Sequence, residues 1–406
     1  MKQHIVIIGS GFGGMEVAKR LAPKVRRGEI DVTVINRTNY FLFTPLLHEV
    51  ATGGLTPTSV TEPLRDVFAR SGIRVAQGDV AGVDIAAKNI RVGTCDIPYD
   101  IVVLASGAET NYYGVPGADA HGVGLKTLSD AIRIRERVID AFEAAALTND
   151  EEAKRRLLSF VVVGAGATGV ELVAELAEFA TGIAEKYFGG THGVSVTLVS
   201  ASAELLAQFS PATRKAAEER LRKNGIVLKL GVQVLGVDTD GVDLGDGSRI
   251  DASLVAWTAG VKPVVPTFTN GAPEMTNGRI AVDATLAARG VDGMFVLGDS
   301  AATPSPLPML AQVAVAQGKT VAQNVVAKLA GRPLHPFAYR SKGSLVSLGQ
   351  WFAAGTVGAF DISGRFTWWL WRTVYLFKFA STKKRIRIAF EWTINLFYPR
   401  DITKLT

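Results

Sequence analysis

The chain has 406 residues, of which 48% are hydrophobic and 42 are glycines, which excludes a disordered chain and indicates a folded α/β protein of two or three domains. Cys95 is the only cysteine, so an intramolecular disulfide and a redox-active cysteine pair are excluded and a reducing compartment is favoured. Of the net charge of +6, residues 365–406 contribute +7, from nine basic and two acidic side chains, so the positive charge belongs to this C-terminal segment.

The first predicted strand leads directly into a glycine-rich turn. Ile5–Ile8 form an unbroken apolar run, as a strand buried on both faces requires. Gly9, Gly11 and Gly14 follow with the spacing G-x-G-x-x-G: the first glycine permits a tight turn, the second lets the backbone approach a pyrophosphate, and the third lets a helix pack close to the strand. The pattern predicts a dinucleotide site. The alternative is a tight turn with no ligand.

The segments after this turn complete the unit. A helix is predicted from about Gly13 to Leu21, with its N-terminus towards the phosphates, and a second strand from Asp31 to Ile35. Asn36 ends that strand where a ribose-binding residue is expected. Because the chain begins with the first strand, no signal peptide is expected. No stretch of about 20 residues is both apolar and uncharged, so no membrane-spanning helix is expected.

A loop and a short helix follow at residues 37–54, where ligands of parallel sheets usually bind. Thr44 and Pro45 are expected to wall a flat ring, whereas His48 is predicted to be a surface or internally satisfied histidine and not a catalyst. Short strands are predicted over residues 73–99. The next strand ends in the small-residue turn Ala105–Gly107, which would let the backbone approach a cofactor, and a helix is predicted from Asp130 to Leu147.

The opening pattern recurs some 155 residues later. A strand from Ser159 precedes Gly164, Gly166 and Gly169, and a helix is predicted from about Val170. Two such units in one chain are a much stronger signal than one. The following strand, Val194–Val199, ends at Ser200, where an acid would bind the 2′-hydroxyl of NADH. Neither an acid nor an arginine stands there, so the choice between NADH and NADPH stays open.

The last part of the body repeats the small-residue turns. Short strands over residues 226–260 close at Ala259 and Gly260. A further strand over 293–299 ends in Gly298 and Asp299, whose carboxylate can accept hydrogen bonds from a ribityl chain, the alternative being a solvated turn aspartate. A helix is predicted from Met309 to Leu329, with its N-terminus towards a flavin.

The C-terminal segment predicts an amphipathic helix. An apolar stripe at helical spacing lies opposite Lys384, Arg387, Glu391 and Asn395, and four of the six tryptophans fall in residues 365–406. Aromatic and basic side chains together suit an anionic bilayer surface. A dimer interface or a helix packed on the body is the alternative. The stripe comprises Ile386, Ala389, Phe390, Thr393, Ile394 and Phe397.

These motifs resemble those of the flavoproteins with two dinucleotide-binding domains. Within that group, residues 43–53 (FTPLLHEVATG), 164–171 (GAGATGVE), 257–261 (WTAGV) and 310–314 (LAQVA) resemble the type II NADH dehydrogenases, and the resemblance covers essentially the whole chain. It implies an α/β fold with two Rossmann-like domains of the glutathione-reductase-like kind and a helical membrane-associating segment. The expected domains are 1–118 with 280–330 for FAD, 119–279 for NAD(P)H, and 331–406 for strands and amphipathic helices.

The resemblance also implies the site. FAD is expected as a tightly, non-covalently bound cofactor, with NADH and a quinone as substrates and no metal. Glu171 matches a family acid near the nicotinamide and flavin rings, its alternative being a first-turn acid favoured by the helix dipole. The catalytic residues implied are Glu171, Gln312, Gln317 and Lys378. The cofactor-binding residues implied are Gly9, Gly11, Phe12, Gly13, Gly14, Asn36, Arg37, Thr44, Pro45, Val80, Ala105, Ser106, Gly107, Gly164, Gly166, Thr168, Gly169, Ser200, Ala259, Gly260, Gly298, Asp299, Ala311 and Gln312.

The sequence departs from the family's quinone motif A-Q-x-A-x-Q. Gln312 matches its first glutamine, but the second falls on Ala316, with Gln317 one place later. On a helix this shift turns the side chain by roughly 100°, which leaves the contact to the second quinone carbonyl and the choice of quinone open.

The implied function is that of a non-proton-pumping oxidoreductase of a respiratory chain. It would pass a hydride from NADH to FAD and electrons to a membrane quinone, as a monotopic, peripheral protein on the cytoplasmic face of the cell membrane, with no nucleic-acid partner. A homodimer is a further option. The alternatives are a flavin-bearing NAD(P)H sensor with little turnover and a related quinone reductase with another donor. A sulfide:quinone oxidoreductase is disfavoured by the single cysteine.

Overall fold

The computed structural model describes residues 2–191, 193–341, 343–379 and 381–404. Met1, His192, Lys342, Ala380, Leu405 and Thr406, which fall within the expected domains and the C-terminal segment, lie outside the described residues. The chain forms two compact units. Unit 1 comprises Met1–Leu42, Thr61–Glu109 and Val261–Arg340, and unit 2 comprises Phe43–Val60, Thr110–Gly260 and Ser341–Thr406.

The strands among the described residues alternate with helices, as a doubly wound α/β fold requires. In chain order they are β1 (Gln3–Ile8), β2 (Ile30–Asn36), β3 (Tyr40–Leu42), β4 (Thr61–Pro63), β5 (Arg74–Gln77), β6 (Val80–Asp84), β7 (Asn89–Val92), β8 (Cys95–Pro98), β9 (Ile101–Leu104), β10 (Ala108–Thr110), β11 (Val123–Gly124), β12 (Ser159–Val163), β13 (Ser195–Ser200), β14 (Val227–Leu230), β15 (Val234–Val237), β16 (Gly241–Leu244), β17 (Arg249–Asp251), β18 (Leu254–Trp257), β19 (Val261–Pro263), β20 (Phe268–Thr269), β21 (Met275–Thr276), β22 (Arg279–Ala281), β23 (Met294–Val296), β24 (Ala301–Ala302), β25 (Gly343–Ser347), β26 (Ala353–Val357) and β27 (Phe360–Gly364).

The helices among the described residues are α1 (Phe12–Arg26), α2 (Leu47–Ala51), α3 (Leu64–Phe68), α4 (Ala118–His121), α5 (Leu128–Leu147), α6 (Glu151–Leu157), α7 (Ala167–Tyr187), α8 (Pro211–Lys223), α9 (Ala311–Leu329), α10 (Arg365–Lys378) and α11 (Thr382–Ile394). Short 3₁₀ turns lie at Thr44–Leu46 and Gly298–Ser300. None of the helices in the described ranges is both long enough and apolar enough to span a membrane.

Unit 1 is built on a parallel sheet with the strand order β23-β9-β1-β2-β5. The apolar run Ile5–Ile8 of β1 is buried, because the strand is covered on both faces. Helices α1 and α9 pack closely, and two glycines permit this: a Cβ atom on Gly318 would lie 2.8 Å from the carbonyl oxygen of Gly13. An antiparallel meander of β6, β7 and β8 extends the unit.

Unit 2 repeats the plan with the parallel order β11-β18-β12-β13-β14. Strand β12 takes the central place that β1 has in unit 1. Helix α5 begins with a capping box, in which Thr127 and Asp130 satisfy each other's backbone N–H groups. The antiparallel strands β25, β26 and β27 and the helices α10 and α11 complete the unit. The predicted α/β class is confirmed.

Several predicted bounds are corrected. Helix α1 does not end at Leu21 but includes Pro23, because the carbonyl left without an N–H partner belongs to the exposed Lys19. Helix α7 begins before Val170, whose N–H already donates to the carbonyl of Gly166 at 3.0 Å. Helix α9 begins at Ala311 instead of Met309, and the strand predicted over 293–299 ends at Val296, where the chain turns into the 3₁₀ turn Gly298–Ser300.

Candidate functional site

The glycines of the first turn have three distinct steric roles. Gly9 has φ +98°, donates its N–H to the carbonyl of Ile35 at 2.8 Å, and has no room for a Cβ atom because the backbone of Ala105 lies against it. A Cβ atom on Gly14 would overlap the carbonyl oxygen of Gly9. A Cβ atom on Gly11 meets no heavy atom within 4 Å. The chain itself therefore requires glycine at positions 9 and 14, whereas the open space over Gly11 is what a bound pyrophosphate would fill.

Unit 2 repeats this arrangement with three glycines in the same steric roles. Gly164 has φ +115°, donates its N–H to the carbonyl of Val199 at 2.8 Å, and leaves only 2.7 Å between a Cβ atom and the backbone of Ala259. A Cβ atom on Gly169 would overlap the carbonyl oxygen of Gly164, and one on Gly166 meets nothing within 4 Å. The repeat predicted from the sequence is thus confirmed as two equivalent cradles, each with one open glycine.

The loop after β2 is closed by Asn36. Its Oδ1 accepts a hydrogen bond from the N–H of Ser10 at 3.0 Å, and its Nδ2 donates to the carbonyl of Thr38 at 2.9 Å. Arg37 is exposed and pairs with Asp79 at 2.8 Å. Asn36 therefore joins the strand end to the glycine turn of the same unit.

A second group of predicted residues lies at two further turns of unit 1. Ser106 donates its hydroxyl to the carbonyl of Val264 at 2.6 Å, and Ser300 donates to the carbonyl of Gly107 at 3.2 Å. The N–H of Gly298 donates to Oε1 of Gln317 at 2.6 Å. Because Gln317 is buried and engaged in this bond, it holds the turn that carries Asp299.

A pocket opens beside this turn, and it is lined by Arg279, Asp299, Leu310, Val313 and Gln317 among others. Ala311 and Gln312 form the first turn of α9, which has no side-chain cap, so its N–H groups are open to an acceptor. Of the remaining residues predicted for unit 1, Val80 begins β6 and Phe12 begins α1 with its ring edge-on to Phe41 at 5.2 Å.

Other predicted cofactor residues lie in unit 2. Thr44 and Pro45 form the 3₁₀ turn beside Phe43, whose ring packs on Phe379 with 4.3 Å between centroids. Thr168 lies in the first turn of α7. Ser200 ends β13, and its hydroxyl accepts the N–H of Ser202 at 3.1 Å. Ala259 and Gly260 follow β18, and the carbonyl of Gly260 accepts the N–H of Asn111 at 3.0 Å.

Helix α7 buries a row of carboxyl groups. Glu171, Glu175 and Glu178 are spaced four and three residues apart, which places them on one face of the helix. Glu171 lies in the second turn, so the alternative of a first-turn acid is wrong. Its Oε1 accepts the N–H of Ser347 at 3.1 Å, and its Oε2 lies 3.8 Å from Nδ1 of His48.

The prediction that His48 is a surface or satisfied histidine is wrong. The side chain is 3% exposed, and its Nε2 has no hydrogen-bond partner among the described residues. His48 is buried because α2 is short and is covered by both α5 and α7. Every residue of α2 is buried as a result. Spacing along the sequence gave no sign of this pairing, because His48 and Glu171 are 123 positions apart.

The C-terminal residues supply the opposite charge. Arg400 forms a salt bridge with Glu175, and its guanidinium lies 3.8 Å from Glu178. The indole N–H of Trp392 donates to Oε2 of Glu49 at 2.5 Å. Arg372 lies over the ring of Trp368, 3.8 Å from its centroid. Sequence reasoning missed Glu49, Arg372 and Arg400, although Glu49 falls within the quoted motif at 43–53.

The shifted pKa values follow from burial and from this charge. Burial raises the pKa of Glu171 to about 8, although the Ser347 N–H bond opposes the shift. Burial lowers the pKa of His48 to about 4. Burial disfavours the charged form of Glu175, but Arg400 outweighs it and the pKa falls below its usual value. At neutral pH, Glu171 therefore holds a proton, His48 is uncharged, and Glu175 is ionised.

The predicted Lys378 lies near the same residues. Its Nζ lies 4.5 Å from the ring centroid of Tyr375. Burial raises the pKa of Tyr375, and Glu171 contributes to that shift, so the two side chains interact electrostatically. Within unit 2 the structure thus brings Glu171, Tyr375 and Lys378 into one region, which can hold and release a proton.

Comparison with known proteins agrees with this geometry. Residues 3–318 match the pyridine nucleotide-disulphide oxidoreductase family, and residues 341–401 match the NDH2 C-terminal domain. The type II NADH:quinone oxidoreductase Ndh of Mycobacterium tuberculosis is 33% identical, over 98% of this chain and 89% of that protein. The type II NADH:quinone oxidoreductase of Staphylococcus saprophyticus is 28% identical, over 90% and 92%. NDH2 from Plasmodium falciparum, solved with NADH, shares the fold with a TM-score of 0.91 at 21% identity, over 100% of both chains.

The Arg400 salt bridge generates a stability prediction. Arg400→Met should lower the free energy of unfolding by about 3–5 kcal/mol at pH 8, because it removes the salt-bridge partner of the buried Glu175 carboxylate. Without the guanidinium, burial raises the pKa of Glu175, so protonation restores stability as the pH falls. The deficit should therefore shrink from pH 8 to pH 5 in urea unfolding. Arg91→Met, which breaks an exposed pair with Asp96, should leave the stability nearly unchanged at every pH. An equal deficit for Arg400→Met at all pH values would contradict the prediction.

Glu171 generates a second prediction of pH dependence. Its pKa is about 8 in the folded chain against 4.5 in the unfolded chain, so its contribution to stability is complete below pH 4.5 and is lost as the pH rises through 8. Glu171→Gln cannot titrate. The melting temperature of Glu171→Gln should therefore rise relative to that of the unmodified protein from pH 5 to pH 8. Above pH 8 the difference between the two should stay constant. The exposed Glu143→Gln is the control, and a pH-independent difference for Glu171→Gln would argue against a protonated Glu171.

Proposed function

Because the chain belongs to the type II NADH:quinone oxidoreductases, within the pyridine nucleotide-disulphide oxidoreductase family, we propose that it oxidises NADH and reduces a membrane quinone with FAD as its tightly and non-covalently bound cofactor. The observation that carries the proposal is the pair of glycine cradles, since each unit supplies one dinucleotide site. The path needs no charged route across a membrane, so the reaction pumps no protons.

Unit 1 fits FAD. The open space over Gly11 accepts a pyrophosphate, Asn36 and Arg37 stand where the adenosine ribose is expected, and Asp299 lines the pocket beside α9. The uncapped first turn of α9, at Ala311 and Gln312, offers N–H groups to the ring system. When bound, FAD supplies the redox chemistry, as it accepts the hydride of NADH and returns the electrons to a quinone. Residues 1–118 and 280–330 are the proposed FAD-binding domain, of which 43–60 and 110–118 fall in unit 2.

Unit 2 fits the nicotinamide nucleotide. The open space over Gly166 accepts its pyrophosphate at the N-terminus of α7, next to Thr168. NADH is favoured over NADPH because Arg214, on α8, is already paired with Glu204 in the loop after Ser200, and this carboxylate repels a 2′-phosphate. Residues 119–279 are the proposed NADH-binding domain, and 331–406 the C-terminal segment.

The proposed roles of the catalytic side chains follow from their places. Glu171 is protonated at neutral pH and donates a proton during quinone reduction, and Lys378, whose pKa burial lowers, lies near the same region. Gln312 contacts the quinone from the open turn of α9. Gln317 positions Gly298, and through it Asp299, instead of serving as the second glutamine of the quinone motif.

The C-terminal segment is proposed to bind the cytoplasmic face of the membrane. Helix α11 buries Ile388 and Trp392, and on the same face Glu391 accepts hydrogen bonds from Ser59 and Thr56 and Asn395 donates to the carbonyl of Gly54. Helix α11 does pack on the body, as the alternative expected, but through the face opposite the apolar stripe, which is left on the outside. The exposed apolar side chains of the segment include Phe366, Trp369, Phe377, Ile386, Phe390 and Phe397. They lie among basic residues, as an interfacial helix on anionic lipid requires.

The two cradles make a paired prediction. Gly11→Val should fold, because Gly11 has φ −66° and free space, but should purify with under about a tenth of the normal FAD. Gly166→Val should keep its FAD, but the rate at which NADH bleaches its flavin should fall at least about a hundredfold. Absorbance at the flavin band and stopped-flow bleaching with NADH and NADPH measure both. Each variant is the control for the other. A yellow Gly11→Val protein would refute the assignment of FAD to unit 1, and NADPH as the better donor would refute the role of Glu204.

The exposed apolar stripe of α11 predicts that membrane binding depends on its exposed aromatic side chains. The double variant Phe390→Glu, Phe397→Glu should bind vesicles of anionic lipid about a hundredfold more weakly in a sedimentation assay. Each substitution removes a ring whose burial in the lipid would contribute about 1.5–3 kcal/mol. Leu147→Glu, an 89% exposed apolar residue on α5, is the matched control and should bind normally. Deleting 365–406 is a poorer test, since it also removes Arg400 and Trp392. Unchanged sedimentation of the double variant would mean that this face does not contact lipid.

A further inference from the structure

We infer that His48 is a positioning residue that exchanges a proton with Glu171, so that Glu171 is reprotonated after it donates its proton during quinone reduction. The inference rests on the proposed function. The reaction NADH + H⁺ + quinone → NAD⁺ + quinol takes up one proton from the medium in each turnover. In the proposed step, the O–H bond of the Glu171 carboxyl group breaks and an O–H bond forms on the quinol oxygen. His48 then returns a proton to the carboxylate.

The geometry places the two groups face to face. The Oε1 atom of Glu171 is fixed by the N–H of Ser347, so Oε2 is the oxygen that faces Nδ1 of His48 at 3.8 Å. This separation exceeds a direct hydrogen bond. A bridging water or a small movement of either side chain closes it. The two groups are therefore near enough to exchange a proton without being locked together.

The second ring nitrogen of His48 is also free to take part. Nε2 is buried and has no hydrogen-bond partner among the described residues. A buried polar atom left unpaired costs roughly 1–3 kcal/mol, so it calls for an explanation beyond packing. The ring is held by its neighbours, since Trp371 lies 6.0 Å away between centroids and Thr52 donates its hydroxyl to the backbone carbonyl of His48 at 2.9 Å. An imidazole with one nitrogen facing the acid and the other unpaired can take a proton on one side and release it on the other.

The surrounding charges set the order of events. Glu171 faces His48 and Glu49 on α2, Glu175 on its own helix, and Tyr375 on α10. His48 faces Glu175, which favours its protonation, and Arg400, which opposes it. At rest, both partners are uncharged at neutral pH. Once Glu171 has lost its proton, the new carboxylate stabilises an imidazolium 3.8 Å away, so His48 is protonated only when Glu171 needs a proton.

The route from the solvent begins at the other end of the row. The side chain of Glu178 is 24% exposed, that of Glu175 is 8% exposed, and that of His48 is 3% exposed. The side chain of Glu171 is itself 11% exposed, and Glu175, which interacts electrostatically with His48, connects His48 to Glu178 along the helix face. Arg400 contacts both Glu175 and Glu178 and favours their charged forms, although burial raises the pKa of Glu178 to about 7.

The test separates the two halves of the reaction by stopped flow, using the FAD-loaded protein, NADH and a soluble ubiquinone analogue. In His48→Ala, flavin bleaching by NADH should keep its normal rate, whereas reoxidation by the quinone should fall about 10- to 100-fold with the KM for NADH unchanged. Added imidazole should restore reoxidation in proportion to its concentration, because it enters the space left by the ring and carries the proton. The unmodified protein and the exposed His335→Ala control should show neither the loss nor the rescue.

Other outcomes overturn the inference. Normal reoxidation in His48→Ala would exclude a role for the ring. Slow reoxidation without imidazole rescue, at normal FAD content, would show that the ring only fills space. If His48→Ala does not fold, His48→Gln, which keeps the volume and a hydrogen bond, takes its place: it should reoxidise slowly, with a rate that depends on buffer concentration, and a rate independent of buffer would count against the inference. Failure of the proposed function would appear separately, as an unmodified flavin that NADH does not bleach.

Discussion

The ion pair between Arg400 and the carboxylates of α7 is the interaction on which the packing of unit 2 depends. Glu171, Glu175 and Glu178 lie on one helix face, and that face is buried against α2 and the C-terminal strands. A buried row of carboxylates is unstable unless a cation is buried with it or the groups take up protons. The chain does both, because Arg400 neutralises Glu175 while burial leaves Glu171 protonated. The C-terminal residues are therefore part of the core and not an appendage to it.

The parts of the fold that the sequence predicted are those that local sterics decide. A buried parallel strand must be apolar on both faces, and a turn that passes under another backbone has no room for a Cβ atom. Gly9 and Gly14, and likewise Gly164 and Gly169, occupy positions where any side chain would collide with main chain. Gly11 and Gly166 differ, since the fold tolerates a side chain there and only a ligand explains the glycine. Spacing alone could not separate these two reasons, whereas the space around each glycine in the folded chain does.

The acid cluster could not be predicted because it is assembled from distant segments. The pairs His48 with Glu171, Glu49 with Trp392, and Glu175 with Arg400 join residues more than 100 positions apart, and no periodicity connects them. Residue type was also misleading. A lone histidine on a short helix is usually at the surface, but α2 is covered on two sides and its histidine is buried. Tertiary packing, not local preference, determined the environment of every one of these groups.

Helix α11 shows how a correct period can leave the orientation open. The stripe at Ile386, Phe390 and Ile394 predicts a helix with one apolar face, and such a face normally packs inward. Here the opposite face packs inward, because Glu391 and Asn395 find buried partners in the segment 43–60 that also carries His48 and Glu49. The outward apolar face is unfavourable in water and favourable on lipid. Any surface that covers it stabilises the same helix whose inner face holds Glu49, the neighbour of His48, through Trp392, so binding on one face and order on the other are thermodynamically linked.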